Sequence, residues 1–370
     1  MQKHITVIEG DGIGPEVVQQ GLKVLHAIEH RFGHNFTFSH RMMGAAAIDV
    51  TGNPLPEDTI ESCLQSDAIL LGAVGDPKYD NDPSAKVRPE QGLLRLRKEL
   101  QLFANIRPIQ VFEPLIHLTP LRPEKMQGVD FVIYRELTSG IYFGEKGLSE
   151  DASSAYDICS YTEAEIQRIA HLAFQQAGNR RKKVTLVDKA NVLETSRLWR
   201  RVVQKLALGY PDIELEYLFV DNAAMQIILN PQQFDVMLTG NMFGDILSDE
   251  SSVLSGSLGM LPSASIGNGT ALFEPVHGSY PQAAGMDIAN PMATILAVAM
   301  MLDHFQMQEE ATEVKKAVNW ALTNNLVTKD IDPSHFYGTS AIGDLMASFI
   351  EQDNAHINHS NASLNKSTII

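Results

Sequence analysis

Residues 234–250 read FDVMLTGNMFGDILSDE and decide the fold class of this chain. The apolar run at 234–238 predicts a buried strand, Gly240 predicts a turn, and the residues after it predict the first turns of a helix. A buried strand that leads through a glycine turn into a helix is the repeating unit of α/β folds with a largely parallel sheet. We therefore expect an α/β protein.

Two carboxylates stand four residues apart in this predicted helix, Asp245 and Asp249. Residues at that spacing share a face, so their like charges repel and destabilise the helix. One interpretation is a solvated acidic helix start, where Asp interacts favourably with the helix dipole. The other is a cation held between them, and oxygen ligands suit Mg²⁺ or Mn²⁺ better than zinc. The spacing alone leaves both interpretations open.

The alternation of strand and helix extends through the chain. Further strands are predicted at 5–8, 68–71, 130–134, 184–187 and 214–220. A length of 370 residues exceeds one comfortable core, so we expect two domains. After the first strand, the glycines at 10, 12 and 14 do not match the G-x-G-x-x-G spacing of a Rossmann site. They predict a tight strand–helix turn instead.

Composition restricts the partners of this protein. A net charge of −16 argues against nucleic acid and anionic membranes. The longest apolar run, 292–302, is too short to span a bilayer and predicts a buried helix. Two cysteines are too few for a disulfide framework, and the N-terminus lacks the apolar segment of a signal peptide. We expect a cytoplasmic protein with no membrane or nucleic-acid partner.

Three arginines are candidates for anion binding: Arg97, Arg107 and Arg135. Arginine pairs bidentately with carboxylates, so three that converge would suit a polyanionic small molecule. Singly, each is more often a surface ion pair. The sequence does not establish that they converge.

Other candidates follow predicted strands or lie in glycine-rich turns. Tyr142 lies between two glycines, and Asp221 comes at the carboxyl end of a strand, where α/β sheets bind ligands. Lys189 ends a buried strand; partial desolvation and neighbouring cations would lower its pKa toward that of a useful base. A turn or N-cap role is an alternative for each of them. The Gly/Ser/His loop at 269–279, with Asn290 nearby, could contact a nucleotide.

Together these segments closely resemble the metal-dependent β-decarboxylating dehydrogenases of 2-hydroxy acids, a family that includes 3-isopropylmalate, isocitrate, homoisocitrate and tartrate dehydrogenases. The most specific matches are 135–144, 241–250 and 274–279. The resemblance implies a two-domain α/β fold that is not a Rossmann fold, with a parallel or mixed central sheet. It also implies domain limits: a large domain of 1–102 plus 256–350 and a small domain of 103–255. The low apolar content from residue 351 onward predicts a polar tail at 351–370.

Within the family, residues 89–98 (PEQGLLRLRK) are similar to the branch that acts on 3-isopropylmalate. The resemblance implies that Leu93, Leu94 and Val192 pack against an isopropyl group, and a third carboxylate would be unpaired in such an apolar slot. The implied reaction is NAD-dependent oxidative decarboxylation of 3-isopropylmalate in leucine biosynthesis. Tartrate, homoisocitrate and isocitrate are the alternative substrates.

The resemblance also implies a role for each site residue. Lys189 and Tyr142 would be the catalytic base and acid, and Asp221, Asp245 and Asp249 would hold Mg²⁺ or Mn²⁺. Lys189 and Asp221 would come from the partner subunit of a homodimer with shared active sites. The implied substrate-binding residues are Arg97, Arg107, Arg135, Asp221, Glu90, Leu93, Leu94 and Val192. The implied NAD-binding residues are Ile13, Gly75, Asp76, Pro77, Glu90, Glu274, His277, Gly278, Ser279, Gln282 and Asn290.

Some positions depart from the family pattern: the usual Gly-Gly-Pro-Lys-Trp reads Gly-Asp-Pro-Lys-Tyr at 75–79, and a second departure bears on the cofactor. The usual Ser-Ala-Pro-Asp-Ile reads here as Ser-Tyr-Pro-Gln-Ala, with Gln282 in place of the aspartate that binds ribose hydroxyls in NAD-dependent members. Gln282 can accept a hydrogen bond but does not repel a 2′-phosphate by charge. No Lys or Arg lies near it in the sequence, so we expect NAD⁺ to remain the preferred cofactor.

Overall fold

The computed structural model describes residues 1–80 and 87–352; residues 81–86 and the predicted tail beyond 352 lie outside the described residues. The strands are β1 Gln2–Gly10, β2 Asn35–Arg41, β3 Ala68–Ala73, β4 Ala104–Gln110, β5 Asp130–Glu136, β6 Lys146–Leu148, β7 Ala155–Asp157, β8 Lys183–Asp188, β9 Glu214–Phe219, β10 Val236–Thr239, β11 Pro262–Ile266 and β12 Ala271–Pro275. The helices are α1 Gly14–Phe32, α2 Ala45–Thr51, α3 Glu57–Gln65, α4 Pro77–Asp80, α5 Pro89–Glu99, α6 Pro123–Met126, α7 Glu163–Gly178, α8 Glu194–Ala207, α9 Val220–Leu229, α10 Asn241–Ser252, α11 Met292–His304, α12 Gln308–Thr323 and α13 Thr339–Glu351.

The chain divides into two compact units. The first contains Met1–Leu96, Ser257–Ala264 and the described residues from Thr270 onward; the second contains Arg97–Gly256 and Ser265–Gly269. One boundary therefore falls inside α5 and another directly before Ser257. The sequence resemblance put the corresponding limits after residues 102 and 255.

In the first unit, β1, β3 and β12 lie side by side and run parallel, with β2 parallel to β1 on the other side. Parallel strands have their carboxyl ends at one edge of the sheet, so the loops after β1, β3 and β12 emerge next to one another. Helix α1 packs against α11 and α13. The apolar run at 292–302 is buried in α11, as predicted.

In the second unit, the strands β5, β10, β8 and β9 are parallel in that order, and β4 is antiparallel to β5. Helices α7 and α8 supply side chains such as Phe174 and Trp199 to its core. The loops after β5, β10, β8 and β9 again leave from one edge. Residues 234–250 form β10, a turn at Gly240 and α10, as the sequence predicted.

The predicted fold class is confirmed: the fold is α/β, with a mixed central sheet. Sequence periodicity had not indicated β2, β4, β11 or β12, because these strands carry polar residues or prolines that weaken the apolar pattern. None of the helices in residues 1–80 and 87–352 is both long and apolar enough to cross a bilayer.

The glycines after β1 allow α1 to approach the sheet closely. A Cβ on Gly72 of β3 would overlap the Glu9 carbonyl oxygen and lie 2.9 Å from the Cα of Gly14. A Cβ on Gly14 would in turn lie 3.0 Å from the Ala73 nitrogen. The first turn of α1 therefore packs directly on the β3 backbone, and this close packing accounts for glycines that do not have the Rossmann spacing.

We predict that Gly72→Ala lowers the free energy of unfolding by about 1–3 kcal/mol, because the added methyl group overpacks this contact. Gly178→Ala is the matched control, since no atom lies within 4 Å of a Cβ at that exposed helix end. Urea unfolding followed by circular dichroism measures both variants. Equal stability of the two variants would contradict the packing argument.

Candidate active site

Arg135 is the centre of a polar cluster in the second unit. It is the last residue but one of β5 and is only 4% exposed. Its Nη1 donates to Asp245 Oδ1 at 2.5 Å, and its Nε and Nη2 donate to Asn241 Oδ1 at 3.2 and 2.9 Å. Burial lowers the pKa of its guanidinium to about 10; Asp245 opposes this, and the positive charges of Arg107 and Arg97 add to it. Arg135 therefore stays cationic at neutral pH. The positive charges of Arg97 and Arg107 are close enough to affect that of Arg135.

Arg107 connects β4 to α10. Its Nε donates to Asn105 Oδ1 at 2.9 Å, and its Nη1 donates to Ser248 Oγ at 2.7 Å and to Asp249 Oδ1 at 2.9 Å. Because β4 is antiparallel to β5, Arg107 is brought near Arg135 although it does not follow the carboxyl end of a parallel strand. Asn105 and Ser248 fix the position of this guanidinium, and no sequence pattern indicated a role for either residue.

Each carboxylate of the predicted pair has its own arginine. Asp245 pairs with Arg135 and Asp249 pairs with Arg107. Their side chains are 34% and 69% exposed, so both remain accessible to a ligand. In this structure the two guanidinium groups offset the like-charge repulsion expected from the spacing.

Tyr142 points its hydroxyl into this cluster. It ends the short 3₁₀ segment Gly140–Tyr142, and its hydroxyl donates to Asp245 Oδ2 at 2.8 Å. Burial, followed by the hydrogen bond to Asp245, raises the pKa of the Tyr142 phenol. The phenol is therefore protonated at neutral pH and available as a proton donor.

Lys189 and Asp221 form a second group, at the ends of β8 and β9. Lys189 Nζ donates to Asp221 Oδ1 at 2.6 Å, and this bond lowers the pKa of the Asp221 carboxyl. The hydrogen-bond partner of Lys189 is thus a carboxylate at the end of the adjacent strand. Val192 follows in the same loop and is 62% exposed.

The structure thus assembles the predicted metal and catalytic residues in two groups. One surrounds Arg135, and the other is the Lys189–Asp221 pair. Among residues 1–80 and 87–352, no three acidic, histidine or cysteine side chains converge as a metal site would require. A single chain therefore does not bring Asp221 together with Asp245 and Asp249.

The predicted cofactor loops meet in the first unit, at the carboxyl ends of β1, β3 and β12. The Ile13 amide donates to the Ser279 carbonyl at 2.8 Å, and a Cβ on Gly12 would overlap that same oxygen. The Gly75 amide donates to Asp11 Oδ2 at 2.8 Å. Residues from three distant parts of the sequence therefore form one surface.

Asp11 is a residue to which the sequence analysis assigned no role. Its buried carboxylate accepts hydrogen bonds from the amides of Gly75, Ala45 and Ala46 at 2.8–2.9 Å. Burial raises its pKa, and these three hydrogen bonds oppose that rise. Asp11 thus holds the β3 loop against the β1 turn. A buried acid inside a glycine turn was the signal that could have identified it.

His277 offers an acceptor to a ligand. Burial lowers the pKa of its imidazole, and its Nδ1 lies 3.0 Å from the Gly278 carbonyl, to which it donates. In that tautomer Nε2 is an acceptor, and it is buried with no hydrogen-bond partner among the described residues. Such a buried orphan atom fits a bound group that carries a donor, such as an amino group.

Asn290 and Glu274 are also buried near this loop. The Asn290 side chain is engaged: its Oδ1 accepts from the Met292 amide at 3.0 Å, and its Nδ2 donates to Asp330 at 3.1 Å. Asn290 can therefore offer a ligand its backbone more readily than its side chain. Glu274 is the last residue but one of β12.

The remaining predicted residues lie on helices or turns of the first unit. Gln282 is exposed on the 3₁₀ segment Pro281–Ala283, and nearby the Gly285 amide donates to the Glu16 carboxylate. A Cβ on Gly75 would lie 3.0 Å from Glu90 Oε1. The others are placed as follows: Asp76 accepts from the Lys78 amide, Pro77 begins α4, Leu93 is half-buried and Leu94 is 39% exposed on α5.

Comparison with known proteins identifies the family. Residues 4–346 match the family described as isocitrate/isopropylmalate dehydrogenase. The chain belongs to this family. Its members are metal- and NAD(P)-dependent dehydrogenases, and the expectation of an oxidoreductase is confirmed.

Relatives in this family cover most of the chain. A 3-isopropylmalate dehydrogenase of Bacteroides fragilis is 52% identical over 95% of this chain and 100% of its own length, and one of Geobacillus kaustophilus is 55% identical over 90% of both. Among solved structures, an isocitrate dehydrogenase from Methylococcus capsulatus has a TM-score of 0.85 at 36% identity, covering 95% of this chain and 100% of its own. A β-decarboxylating dehydrogenase from Thermococcus kodakarensis has a TM-score of 0.79 at 34% identity, covering 96% and 99%.

Proposed function

We propose that this protein oxidatively decarboxylates 3-isopropylmalate with NAD⁺, giving 4-methyl-2-oxopentanoate, CO₂ and NADH, as a cytoplasmic step of leucine biosynthesis. The observation that carries the proposal is the cluster around Arg135. It combines convergent arginines for a dicarboxylate, a protonated phenol and two reachable carboxylates.

The choice of substrate rests on α5. Leu93 and Leu94 offer apolar surface on the helix that also carries Arg97, and Val192 is a further exposed apolar side chain. An isopropyl group suits such a surface, whereas a third carboxylate would lose its hydration there without a partner. The relatives named for 3-isopropylmalate also share more of the sequence than the solved isocitrate dehydrogenase does.

The chain's own residues bind the substrate and move its protons. Arg97, Arg107 and Arg135 would hold the two malate carboxylates, which fixes C2 and C3 relative to the protein. Lys189 would remove the proton of the 2-hydroxyl. Tyr142, protonated and held by Asp245, would deliver a proton to C3 after CO₂ has left.

The donor chemistry fits a hard divalent cation. Asp245 and Asp249 are accessible oxygen ligands on one helix, and Asp221 of a second copy of the chain would complete the set. When bound, Mg²⁺ or Mn²⁺ would polarise the 2-hydroxyl oxygen, and NAD⁺ would accept the hydride. The orphan acceptor of His277 and the loops joined by Asp11 fit a dinucleotide in the first unit.

A homodimer accounts for the two separate groups of residues. Helices α9 and α10 pack against each other and expose large apolar side chains: Met225, Ile228, Leu229 and Ile246. A patch of this kind is unusual on a monomer and suits a two-fold interface with a second copy. We propose that each site combines Tyr142, Asp245 and Asp249 of one copy with Lys189 and Asp221 of the other. Net charge gives no support to a nucleic-acid or membrane partner.

We expect NADH formation from 3-isopropylmalate with Mn²⁺ to exceed that from isocitrate, homoisocitrate or tartrate under the same conditions. Leu94→Asn should lower kcat/KM for 3-isopropylmalate about 10-fold or more, because it places a polar group where the isopropyl group packs. Leu208→Asn, at an 83% exposed leucine, is the matched control. A higher kcat/KM for one of the other acids would refute the assignment of substrate.

Sharing of the site predicts complementation between inactive variants. Lys189→Met and Tyr142→Phe should each have little activity alone. Unfolded together and refolded, the mixture should recover up to about a quarter of the wild-type rate, because half of the dimers contain one intact site of two. If all catalytic residues of a site came from one chain, mixing would restore nothing, and the shared-site proposal would be wrong.

The cofactor prediction concerns Gln282. We expect a preference for NAD⁺ over NADP⁺ that Gln282→Asp widens, because the added carboxylate repels a 2′-phosphate and forms charge-assisted bonds to ribose hydroxyls. The Glu16 carboxylate, bound by the Gly285 amide, already keeps negative charge beside this turn. Dissociation constants of both cofactors from NADH and NADPH fluorescence titrations measure the effect. If the unmodified protein bound NADPH more tightly than NADH, the predicted preference for NAD⁺ would be wrong.

A further inference from the structure

Residues 158–161 support the loop that carries Tyr142. The Gly140 amide donates to the Ser160 carbonyl at 3.0 Å, and a Cβ on Gly144 would overlap the Ile158 carbonyl oxygen. The loop therefore lies in backbone contact with this segment at both of its glycines. Gly140 also has a φ of +76°, a conformation that a residue with a Cβ adopts only with strain.

The hydroxyl of Tyr161 lies where this loop meets α10. It accepts a hydrogen bond from the Asn241 amide, the first residue of that helix, at 2.8 Å. A Cβ on Gly140 would overlap the same oxygen, and a Cβ on Gly240 would lie 3.0 Å from it. One oxygen atom thus touches both the loop of Tyr142 and the beginning of the helix of Asp245 and Asp249.

The rest of Tyr161 is well anchored. Its ring packs edge-on against Trp199, with the ring centroids 5.4 Å apart. The next residue, Thr162, caps α7 and exchanges hydrogen bonds with Glu165 in a capping box. Burial raises the pKa of the Tyr161 phenol, so its oxygen remains a neutral acceptor throughout the physiological range. The position of the Tyr161 hydroxyl is therefore fixed by the Trp199 ring and by the capped beginning of α7.

Asn241 links the Tyr161 hydroxyl to the residues around Arg135. Its backbone is bound by Tyr161, its side-chain Oδ1 accepts two bonds from Arg135, and its Nδ2 donates to the Ser139 carbonyl at 3.0 Å. A displacement of Asn241 would move the guanidinium of Arg135 and the loop before Tyr142 together.

We infer that Tyr161 is a positioning residue, whose hydroxyl sets the distance between the proton donor Tyr142 and the carboxylates of α10. The catalytic consequence rests on the proposed function; the structural constraint does not. Tyr161 acts through Asn241, whose amide it binds, and through Gly140, which packs against its hydroxyl.

The first test is hydrogen–deuterium exchange on Tyr161→Phe. This change removes the acceptor of the Asn241 amide and leaves the ring packed on Trp199. Exchange should rise in peptides that cover 139–144 and 240–245, and stay unchanged elsewhere. Tyr210→Phe is the matched control: it removes a hydroxyl that lies 3.0 Å from His171 in the same unit, and should leave both peptides unchanged. Unchanged exchange in Tyr161→Phe would overturn the inference whatever the substrate is.

The second test is kinetic. In Tyr161→Phe, kcat with 3-isopropylmalate should fall about 10- to 100-fold, because a small misplacement of reacting groups is costly. KM for NAD⁺ should not change, since the cofactor loops belong to the other unit. A fall in kcat no larger than that of Tyr210→Phe would contradict positioning. A rise in KM for NAD⁺ as large as the fall in kcat would indicate a general structural effect and would also contradict it.

The third test couples two positions. Gly240→Ala places a methyl group against the Tyr161 hydroxyl and should lower kcat on its own. In the double variant with Tyr161→Phe, the combined loss should be less than the product of the single losses, because the clash is gone. Multiplicative losses would contradict the proposed contact. An unmodified protein that does not turn over 3-isopropylmalate would refute the proposed function, and the exchange test would still decide the role of Tyr161.

Discussion

The second unit of this protein depends on one buried cation. Arg135 is removed from water by the β5–α10 packing, and a buried guanidinium is tolerated only when its donors are satisfied. Asp245 and Asn241, both from the first turns of α10, provide the acceptors. The helix is thereby fixed against the strand at the point where Tyr142 also binds Asp245. Removing any one of these partners would leave a charge or donor buried without compensation.

In the first unit, a buried carboxylate, that of Asp11, fixes the loops that follow the strands. Three loops that leave adjacent parallel strands are held close together in this unit. Asp11 does this through three backbone amides, and Gly12 permits the Ser279 carbonyl to approach the Ile13 amide. Because most of these contacts involve the backbone, the surface depends on glycines and on one buried acid rather than on a recognisable side-chain motif.

Much of the fold followed from the sequence because the core strands are apolar on both faces. The central residues of β3, β5, β8 and β10 are mostly apolar, as expected of parallel strands covered by helices. The antiparallel β4 has the sequence ANIRPIQ, in which an arginine and a proline hide the pattern. Its reversal beside β5 is a property of the assembled sheet and brings Arg107 to Asp249.

The sequence by itself determined the alternation of strands and helices, the family, and the types of residue that follow each strand. These are local properties, set by periodicities of two or 3.6 residues and by glycines at turns. Only the tertiary structure decided the pairings: Arg135 with Asp245, which is 110 residues away, and Lys189 with Asp221. It also gave Tyr161 its position between a loop and a helix. Such contacts depend on which strands lie side by side, and no local pattern encodes that order.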